Sequence, residues 1–88
     1  MDVFDKLKTQ LKLMEWPSLY LYKFIVPNDN EIIAKVTSLF DHETSILSYH
    51  ASGKGNYISI SVKEVAVSVE QIIEKYEKAA EIKGVISL

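Results

Sequence analysis

The residues best suited to binding chemistry lie in one short segment, Ser52-Gly53-Lys54-Gly55-Asn56-Tyr57. Its two glycines let a backbone approach a ligand closely, successive amide groups can form an anion-binding nest, and Lys54 adds a positive charge. The segment is not a Walker phosphate loop, because it lacks G-x-x-x-x-G-K-[ST] and is flanked by predicted strands. The same residues suit a tight hairpin turn, so ligand binding and turn formation both stay open.

The candidate ligand- or partner-binding residues are this segment and a serine of the strand that follows: Ser52, Gly53, Lys54, Gly55, Asn56, Tyr57 and Ser59. Catalytic and metal-binding groups are sparse elsewhere. The chain has no cysteine, which excludes disulfides, thiolate metal sites and cysteine nucleophiles. His42 lies in a polar connection and His50 near the end of a predicted strand. Neither histidine has a nucleophile or a second metal ligand at a sequence spacing typical of a catalytic or metal site. We therefore expect no enzymatic activity, no catalytic residue, no metal and no cofactor.

The charges also narrow the range of partners. The chain has ten lysines, twelve acidic residues and no arginine, so its net charge is −2. Arginine supplies the planar fork that binds phosphates and guanine edges, so nucleic acid is an unlikely partner. No apolar run reaches the length of a membrane span, and the first residues lack the pattern of a signal peptide. A cytoplasmic protein without membrane contact is expected, and the lack of cysteine agrees with a reducing compartment.

Hydrophobic spacing predicts the first elements. An amphipathic helix is expected over residues 2–14, capped by Asp2 and ended before Pro17, with a buried stripe of Val3, Phe4, Leu7, Leu11 and Met14. Residues 19–26 form a strand that is apolar on both faces except at Lys23, as is typical of a central strand. Asn28 or Asp29 caps a second helix that stops near Asp41.

The remaining elements complete the pattern. A strand over residues 44–51 precedes a strictly alternating strand over residues 57–63, with Ile58, Ile60 and Val62 facing inward and Tyr57, Ser59, Ser61 and Lys63 facing outward. The last helix begins with a capping box formed by Ser68 and Gln71. Its predicted buried stripe is Ile72, Ile73, Tyr76, Ala79 and Ala80. Gly84 suits the end of this helix, and residues 85–88 form a final short strand.

This order predicts an α+β fold: a ferredoxin-like βαββαβ sandwich with a four-stranded antiparallel sheet, two helices on one face, and an additional N-terminal helix. We expect one domain over residues 1–88, with the helix and lead-in over 1–16 and the core over 17–88. In this topology the first and third strands are central. Tyr20, Tyr22 and Tyr57 could then stack RNA bases, although the absence of arginine argues against it.

Two stretches carry a family resemblance: Glu15-Trp16-Pro17 ahead of Tyr22-Lys23, and the run from Ser52 through Lys54-Gly55-Asn56-Tyr57 to Ser61. The chain resembles the YbeD-like family of small bacterial proteins of unknown function. Two positions depart from the family pattern, because Gly53 replaces a serine and Ile58 stands where histidine is common. The resemblance implies a ferredoxin-like fold akin to the ACT regulatory domains, which bind small effectors at domain interfaces. It implies no enzymatic activity.

Three functions follow as hypotheses. The first is a non-enzymatic regulatory or adaptor domain that binds a partner protein, or forms a homodimer, through an exposed face or edge of the sheet. The alternative is an ACT-like sensor in which the Ser52–Tyr57 loop binds an amino acid or anion as a small-molecule effector. The most distant alternative is RNA binding on the open face of the sheet.

Overall fold

The computed structural model describes residues 4–87 as a four-stranded sheet with helices on one side. The elements are α1 (Asp5–Leu11), β1 (Ser18–Pro27), α2 (Asn30–Thr37), β2 (Ile46–Ala51), β3 (Tyr57–Ala66), α3 (Val69–Ala80) and β4 (Ile86–Ser87). All strand pairs are antiparallel, in the order β2-β3-β1-β4. The predicted α+β, ferredoxin-like βαββαβ arrangement is confirmed. The predictions for Asp2, Val3 and Leu88 lie outside the described residues.

The hydrophobic core lies between the sheet and the helices, because alternate residues of the two central strands face α2 and α3. On β1 these are Tyr22, Phe24 and Val26, and on β3 they are Ile60 and Val62, all fully buried. They pack against buried residues of the helices and of the turn after α2: Val36, Phe40, Ile72, Ile73, Tyr76 and Ala79. The prediction that Ile60 and Val62 face inward is confirmed, and Ile58 packs partly buried against the same core.

The N-terminal helix is shorter than predicted. It ends at Leu11, and the amides of Leu13 and Met14 donate to the carbonyls of Gln10 and Leu11 in a tighter turn. The Trp16 indole N–H donates to the same Leu11 carbonyl at 3.2 Å, so this carbonyl accepts two hydrogen bonds at the end of the helix. The prediction that Met14 belongs to the buried stripe is wrong, since this residue is exposed beyond the helix.

Helix starts follow the predicted caps closely. Asp29 accepts a hydrogen bond from the Glu31 amide at 2.8 Å, and Ser68 accepts one from the Gln71 amide at 3.2 Å. In a standard capping box the Gln71 side chain would accept from the Ser68 amide. Here it accepts from the amide of Val67 at 2.7 Å, one residue further back.

Helix ends were predicted less well. α2 ends at Thr37 rather than near Asp41, and the turn that follows it is held to α3 by Lys75, whose ammonium donates to the Leu39 carbonyl. α3 ends at Ala80, which is exposed rather than part of the buried stripe. Gly84 lies in the connection to β4 with a φ of +88°, beside the ring of Pro27.

Two strand boundaries also differ. β2 begins at Ile46 rather than at residue 44, and β3 continues beyond Lys63 to Ala66. The predicted strand stopped at Lys63 because the next residue, Glu64, is charged at an inward-facing position, and the structure buries this side chain. Its Oε2 atom accepts a hydrogen bond from the Ser45 hydroxyl at 2.7 Å, which offsets part of the cost of burial. Among residues 4–87, no helix combines the length and apolar character that a membrane crossing requires.

Candidate functional site

The predicted loop forms the hairpin connection between β2 and β3. The Ser52 amide donates to the Tyr57 carbonyl and the Gly55 amide to the Ser52 carbonyl, both at 2.9 Å. The Ser52 hydroxyl also accepts from the Tyr57 amide at 3.2 Å. Gly55 has a φ of +73°, in the left-handed region that favours glycine. The structure therefore uses Ser52, Gly55 and Tyr57 to close the turn.

A second connection holds this loop in place. Asn28, at the end of β1, donates from its side-chain amide to the Gly55 carbonyl at 2.8 Å and from its backbone amide to the Asn56 carbonyl at 2.9 Å. The loop is therefore fixed on its carbonyl side. Within residues 4–87, no hydrogen bond uses the backbone N–H groups of Gly53, Lys54 or Asn56. These three residues are exposed.

Ser59, the seventh candidate, lies apart from the turn. It is on β3, half-buried, with His50 of β2 and Ile25 of β1 directly opposite on either side. A serine beside a histidine suggests nucleophilic chemistry, but the strands place no carboxylate on this face to orient the imidazole, and no hydrogen bond joins the two residues in the described part of the chain. The structure brings Ser59 to the sheet face and the other candidates to its end.

That sheet face is the larger feature, and we call the side opposite α2 and α3 the open face. The register places on it the odd-numbered residues of β1 and β3, alternate residues of β2, and Ile86 of β4. None of the elements in the described part of the chain covers it. Tyr57, Ser59, Ser61 and Lys63 lie on the open face, which confirms their predicted outward orientation.

One end of the open face is aliphatic. Leu19 lies directly opposite Val65, and in the next row Lys63 separates Leu21 from Ile46. The exposed fractions are 58% for Leu19, 50% for Leu21, 69% for Ile46 and 58% for Val65. We call these four residues the aliphatic patch. Sequence reasoning did not single them out, although the apolar character of β1 on both faces was the signal that could have done so.

Two lysines lie next to the aliphatic patch. Lys23 and Lys63 are on neighbouring strands, offset diagonally, because Lys23 pairs with Ser61 and Lys63 with Leu21. Both are exposed, and neither forms an ion pair with any residue between 4 and 87. No strand residue on the open face is acidic. This face therefore combines aliphatic side chains with two uncompensated positive charges.

The tyrosines proposed for base stacking are not on this face together. Tyr22 is fully buried on the helix side, and Tyr20 is partly buried there, with its hydroxyl 3.0 Å from that of Tyr76. Of the three candidates, only Tyr57 lies on the open face. The predicted aromatic platform of Tyr20, Tyr22 and Tyr57 is therefore wrong, because β1 turns its even-numbered residues toward the helices.

The buried tyrosines form a polar cluster with Glu64 inside the core. Burial raises the pKa of Tyr22 well above its usual range, and electrostatic interaction with Glu64 and Tyr20 raises it further. Burial also raises the pKa of Tyr76, with the hydrogen bond to Tyr20 as the next cause. The Tyr22 hydroxyl and Glu64 Oε1 are buried without a hydrogen-bond partner. Tyr22 and Tyr76 therefore stay protonated at neutral pH and act as packing groups.

The other titratable groups and the surface grooves do not coincide with the candidate residues. His42 lies in an exposed turn with its Nε2 atom 3.0 Å from the Thr37 carbonyl. No group of three potential metal ligands occurs among residues 4–87. Two grooves lie on the helix side, one of about 350 Å³ beside Lys12 and Glu74, the other of about 400 Å³ beside Asp29 and Lys83. Neither is lined by a residue of the loop, and the second reaches the open face only at Pro27, the last residue of β1.

Comparison with known protein families identifies a match over most of the chain. The model of a family described as "Protein of unknown function (DUF493)" matches residues 11–88. No curated protein and no solved structure shows significant similarity to the chain. The match covers every element of the fold from the end of α1 onward, including the loop and the open face.

Proposed function

We propose a non-enzymatic regulatory or adaptor role in which the open face of the sheet binds a partner protein. The chain belongs to the DUF493 family of proteins of unknown function. The observation that carries this proposal is the aliphatic patch. Its four residues come from three different strands and occupy two neighbouring rows at one end of the open face, with Lys63 between Leu21 and Ile46, and each residue is at least half exposed. Single exposed aliphatic residues are common on soluble proteins, whereas contiguous apolar patches indicate interaction sites.

The energetics support an interface centred on this patch. Complete burial of a leucine, isoleucine or valine contributes about 1.5–3 kcal/mol, so covering the exposed half contributes roughly 1 kcal/mol for each residue. The four residues together would contribute on the order of 4 kcal/mol. Because association also costs several kcal/mol of translational and rotational freedom, the neighbouring polar residues must contribute contacts as well. The patch therefore acts as the centre of an interface rather than as the whole of it.

The test compares two surface variants. Leu21→Ser with Val65→Ser removes the centre of the patch, and Leu13→Ser is the matched control, since Leu13 is 85% exposed in the connection between α1 and β1. Both variants change exposed residues, so melting temperatures near that of the wild type are expected. Each protein is used for affinity capture from a bacterial lysate, and each captured protein is then purified and titrated directly.

We expect at least one partner that binds the wild type and Leu13→Ser equally and loses binding to the double variant. Identical affinities for all three proteins would show that the open face is not the binding surface. A strictly monomeric chain with no purified partner would also contradict the proposal.

The sensor function is a second candidate, and the loop supports it. Gly53, Lys54 and Asn56 are exposed, no hydrogen bond within residues 4–87 uses their backbone amides, and Lys54 adds a positive charge to the loop. A thermal-shift screen with amino acids and inorganic phosphate tests it, because a ligand at one hundred times its Kd stabilises a protein by about 2.7 kcal/mol. A shift that Lys54→Ala leaves unchanged would argue against this loop as the site.

The finer assignments are proposals as well. The motif Lys54-Gly55-Asn56-Tyr57 supports a place among the YbeD-like proteins of bacteria. The cysteine-free composition supports work in a reducing compartment such as the cytoplasm. The absence of a nucleophile hydrogen-bonded to His42 or His50 among residues 4–87 supports a role without catalysis.

A further inference from the structure

We infer that the open face binds an acidic amphipathic α-helix of a partner protein, an inference that rests on the proposed function and gives its partner a chemical class. Two features of the face carry it. The aliphatic patch requires apolar side chains from the partner, and the adjacent pair Lys23 and Lys63 requires negative charge beside them.

The charge of the open face is opposite to that of the rest of the chain. The whole chain has a net charge of −2, with ten lysines and twelve acidic residues. Lys23 and Lys63 are on the open face and no strand residue there is acidic, so the remaining eight lysines and twelve carboxylates carry −4 elsewhere. Electrostatic potentials on the two sides of an interface are complementary. Among partners that present apolar side chains, this face therefore favours those that also carry negative charge.

The two lysines define a position for a carboxylate. Diagonal neighbours on adjacent antiparallel strands have their Cα atoms roughly 7–8 Å apart. A carboxylate placed between Lys23 and Lys63 can therefore contact both ammonium groups. It lies next to Leu21, since Lys63 is directly opposite that residue. The partner must therefore present an acidic side chain close to its apolar ones.

The dimensions of the patch fit a single helix. Leu21 and Ile46 are two strands apart, which is roughly 10 Å across the sheet. A helix with its side chains is about 10–12 Å in diameter. Along β1, the centre of the patch and the centre of the lysine pair are two residues apart, or roughly 6.6 Å. That distance corresponds to about four residues of helix, so the acidic residue lies one turn from the apolar anchors.

A second copy of this chain does not meet these requirements. Two open faces packed together would enclose four lysines, and neither face would supply a strand carboxylate to neutralise them. Enclosing unpaired charges is strongly unfavourable. RNA would leave the aliphatic patch without apolar contacts, and two of the three candidate stacking tyrosines lie on the helix side. The partner helix satisfies both features of the face.

The experiment is a selection against the complete chain. A displayed library of helical peptides, with one face randomised among leucine, serine, lysine and glutamate, is enriched for binders, and one enriched peptide is synthesised. Its Kd is measured by fluorescence anisotropy for the wild type, for Lys23→Glu with Lys63→Glu, for Leu21→Ser, and for Lys6→Glu. Lys6 is exposed on α1, in the helix layer, so Lys6→Glu is the matched control for a charge reversal away from the open face.

We expect enriched peptides to carry leucine anchors and a glutamate about one turn away. The Kd should rise roughly tenfold or more in the lysine double variant, since two attractive pairs become repulsive, and it should change less than about twofold in Lys6→Glu. A peptide with lysine in place of glutamate should show the reverse preference and bind the double variant more tightly. Binding to the wild type should weaken as salt concentration increases.

Several outcomes would overturn the inference, and they separate it from the proposed function. Enriched peptides that are neutral or basic, and that lose binding in Leu21→Ser, leave the open face as the binding surface and reject the acidic partner. Peptides indifferent to Leu21→Ser, or no enrichment at all, reject both. A homodimer dissociated by Leu21→Ser, or displacement of the peptide by an RNA oligonucleotide or anionic vesicles, would assign the face to a different occupant.

Discussion

Replacing Tyr22 with phenylalanine should stabilise this protein. The ring of Tyr22 is fully buried and contacts Phe24, Phe40 and Tyr76, but its hydroxyl has no hydrogen-bond partner. A buried hydroxyl without a partner costs about 1–3 kcal/mol, because it has lost its bonds to water. Tyr22→Phe retains the ring contacts and removes that cost. A gain of about 1 kcal/mol is expected, which raises the melting temperature of a domain of this size by roughly 4–8 °C.

The pH dependence gives a second readout of the same substitution. A tyrosine whose pKa is higher in the folded than in the unfolded protein contributes to the free energy of unfolding. This contribution is fully present at pH values below the unfolded-state pKa of 10.0. That stability is lost as the pH rises from 10 through the folded pKa. Tyr22 and Tyr76 both have raised pKa values, so together they should make stability fall by up to ~2.7 kcal/mol per pH unit above pH 10. With Tyr22→Phe the fall should be about half as steep.

Tyr76→Phe is the matched control. It removes the other raised pKa, and should therefore flatten the alkaline slope to a similar extent. It also breaks the 3.0 Å hydrogen bond with Tyr20, so it should destabilise the protein by about 1 kcal/mol at neutral pH. The two variants thus have the same expected effect above pH 10 and opposite effects at pH 7.

Urea unfolding followed by circular dichroism, at pH 7 and at steps between pH 10 and 11, measures both quantities. A loss of stability in Tyr22→Phe at pH 7 would refute the reasoning, since it would mean that the hydroxyl makes a favourable hydrogen bond; Glu64 Oε1, which is also buried without a partner, is the candidate acceptor. An alkaline slope equal to that of the wild type would show that Tyr22 does not titrate with a raised pKa.

Two further predictions concern the loop and the last helix. Gly55→Ala should destabilise the protein by about 1 kcal/mol, because Gly55 has a φ of +73°. Gly53→Ala should cost less, because the space around the new methyl group is open. Thermal unfolding compares the two variants, and equal effects would contradict the turn geometry. Ser68→Ala should cost about 1 kcal/mol, since it removes the acceptor for the Gln71 amide, and an unchanged urea midpoint would show that the cap does not contribute.

The sequence was informative where local patterns determine structure. The alternation of residues 57–63 and the caps at Asp29 and Ser68 act over a few residues, and the structure has them as predicted. Long-range contacts were not readable. At the end of α1, Trp16 donates to the Leu11 carbonyl, and in the part of β3 beyond Lys63, the buried Glu64 accepts from Ser45. Neither contact can be read from the spacing of hydrophobic residues. The predicted ends of α1 and β3 were therefore wrong.

The candidate site shows the same division between local and long-range information. The turn-forming residues Ser52, Gly55 and Tyr57 are local, and their type and spacing were sufficient to locate the loop. The aliphatic patch is assembled from β1, β2 and β3, so its residues are brought together only by strand order and register. Period-two alternation separates the two sides of a strand but does not say which one faces the helices. Tyr20 and Tyr22 were therefore compatible with either face.

The composition of β1 also supports the proposed function. A strand that is apolar on both sides is typical of a sheet covered on both faces. Here α2 and α3 cover the side of Tyr22, Phe24 and Val26, and no described element covers the side of Leu19 and Leu21. Folding of residues 4–87 uses only one of the two apolar patterns. The apolar residues on the other side of β1 become buried if a partner protein packs on the open face. Lys23, the one charged residue of β1, would then lie opposite the partner's carboxylate.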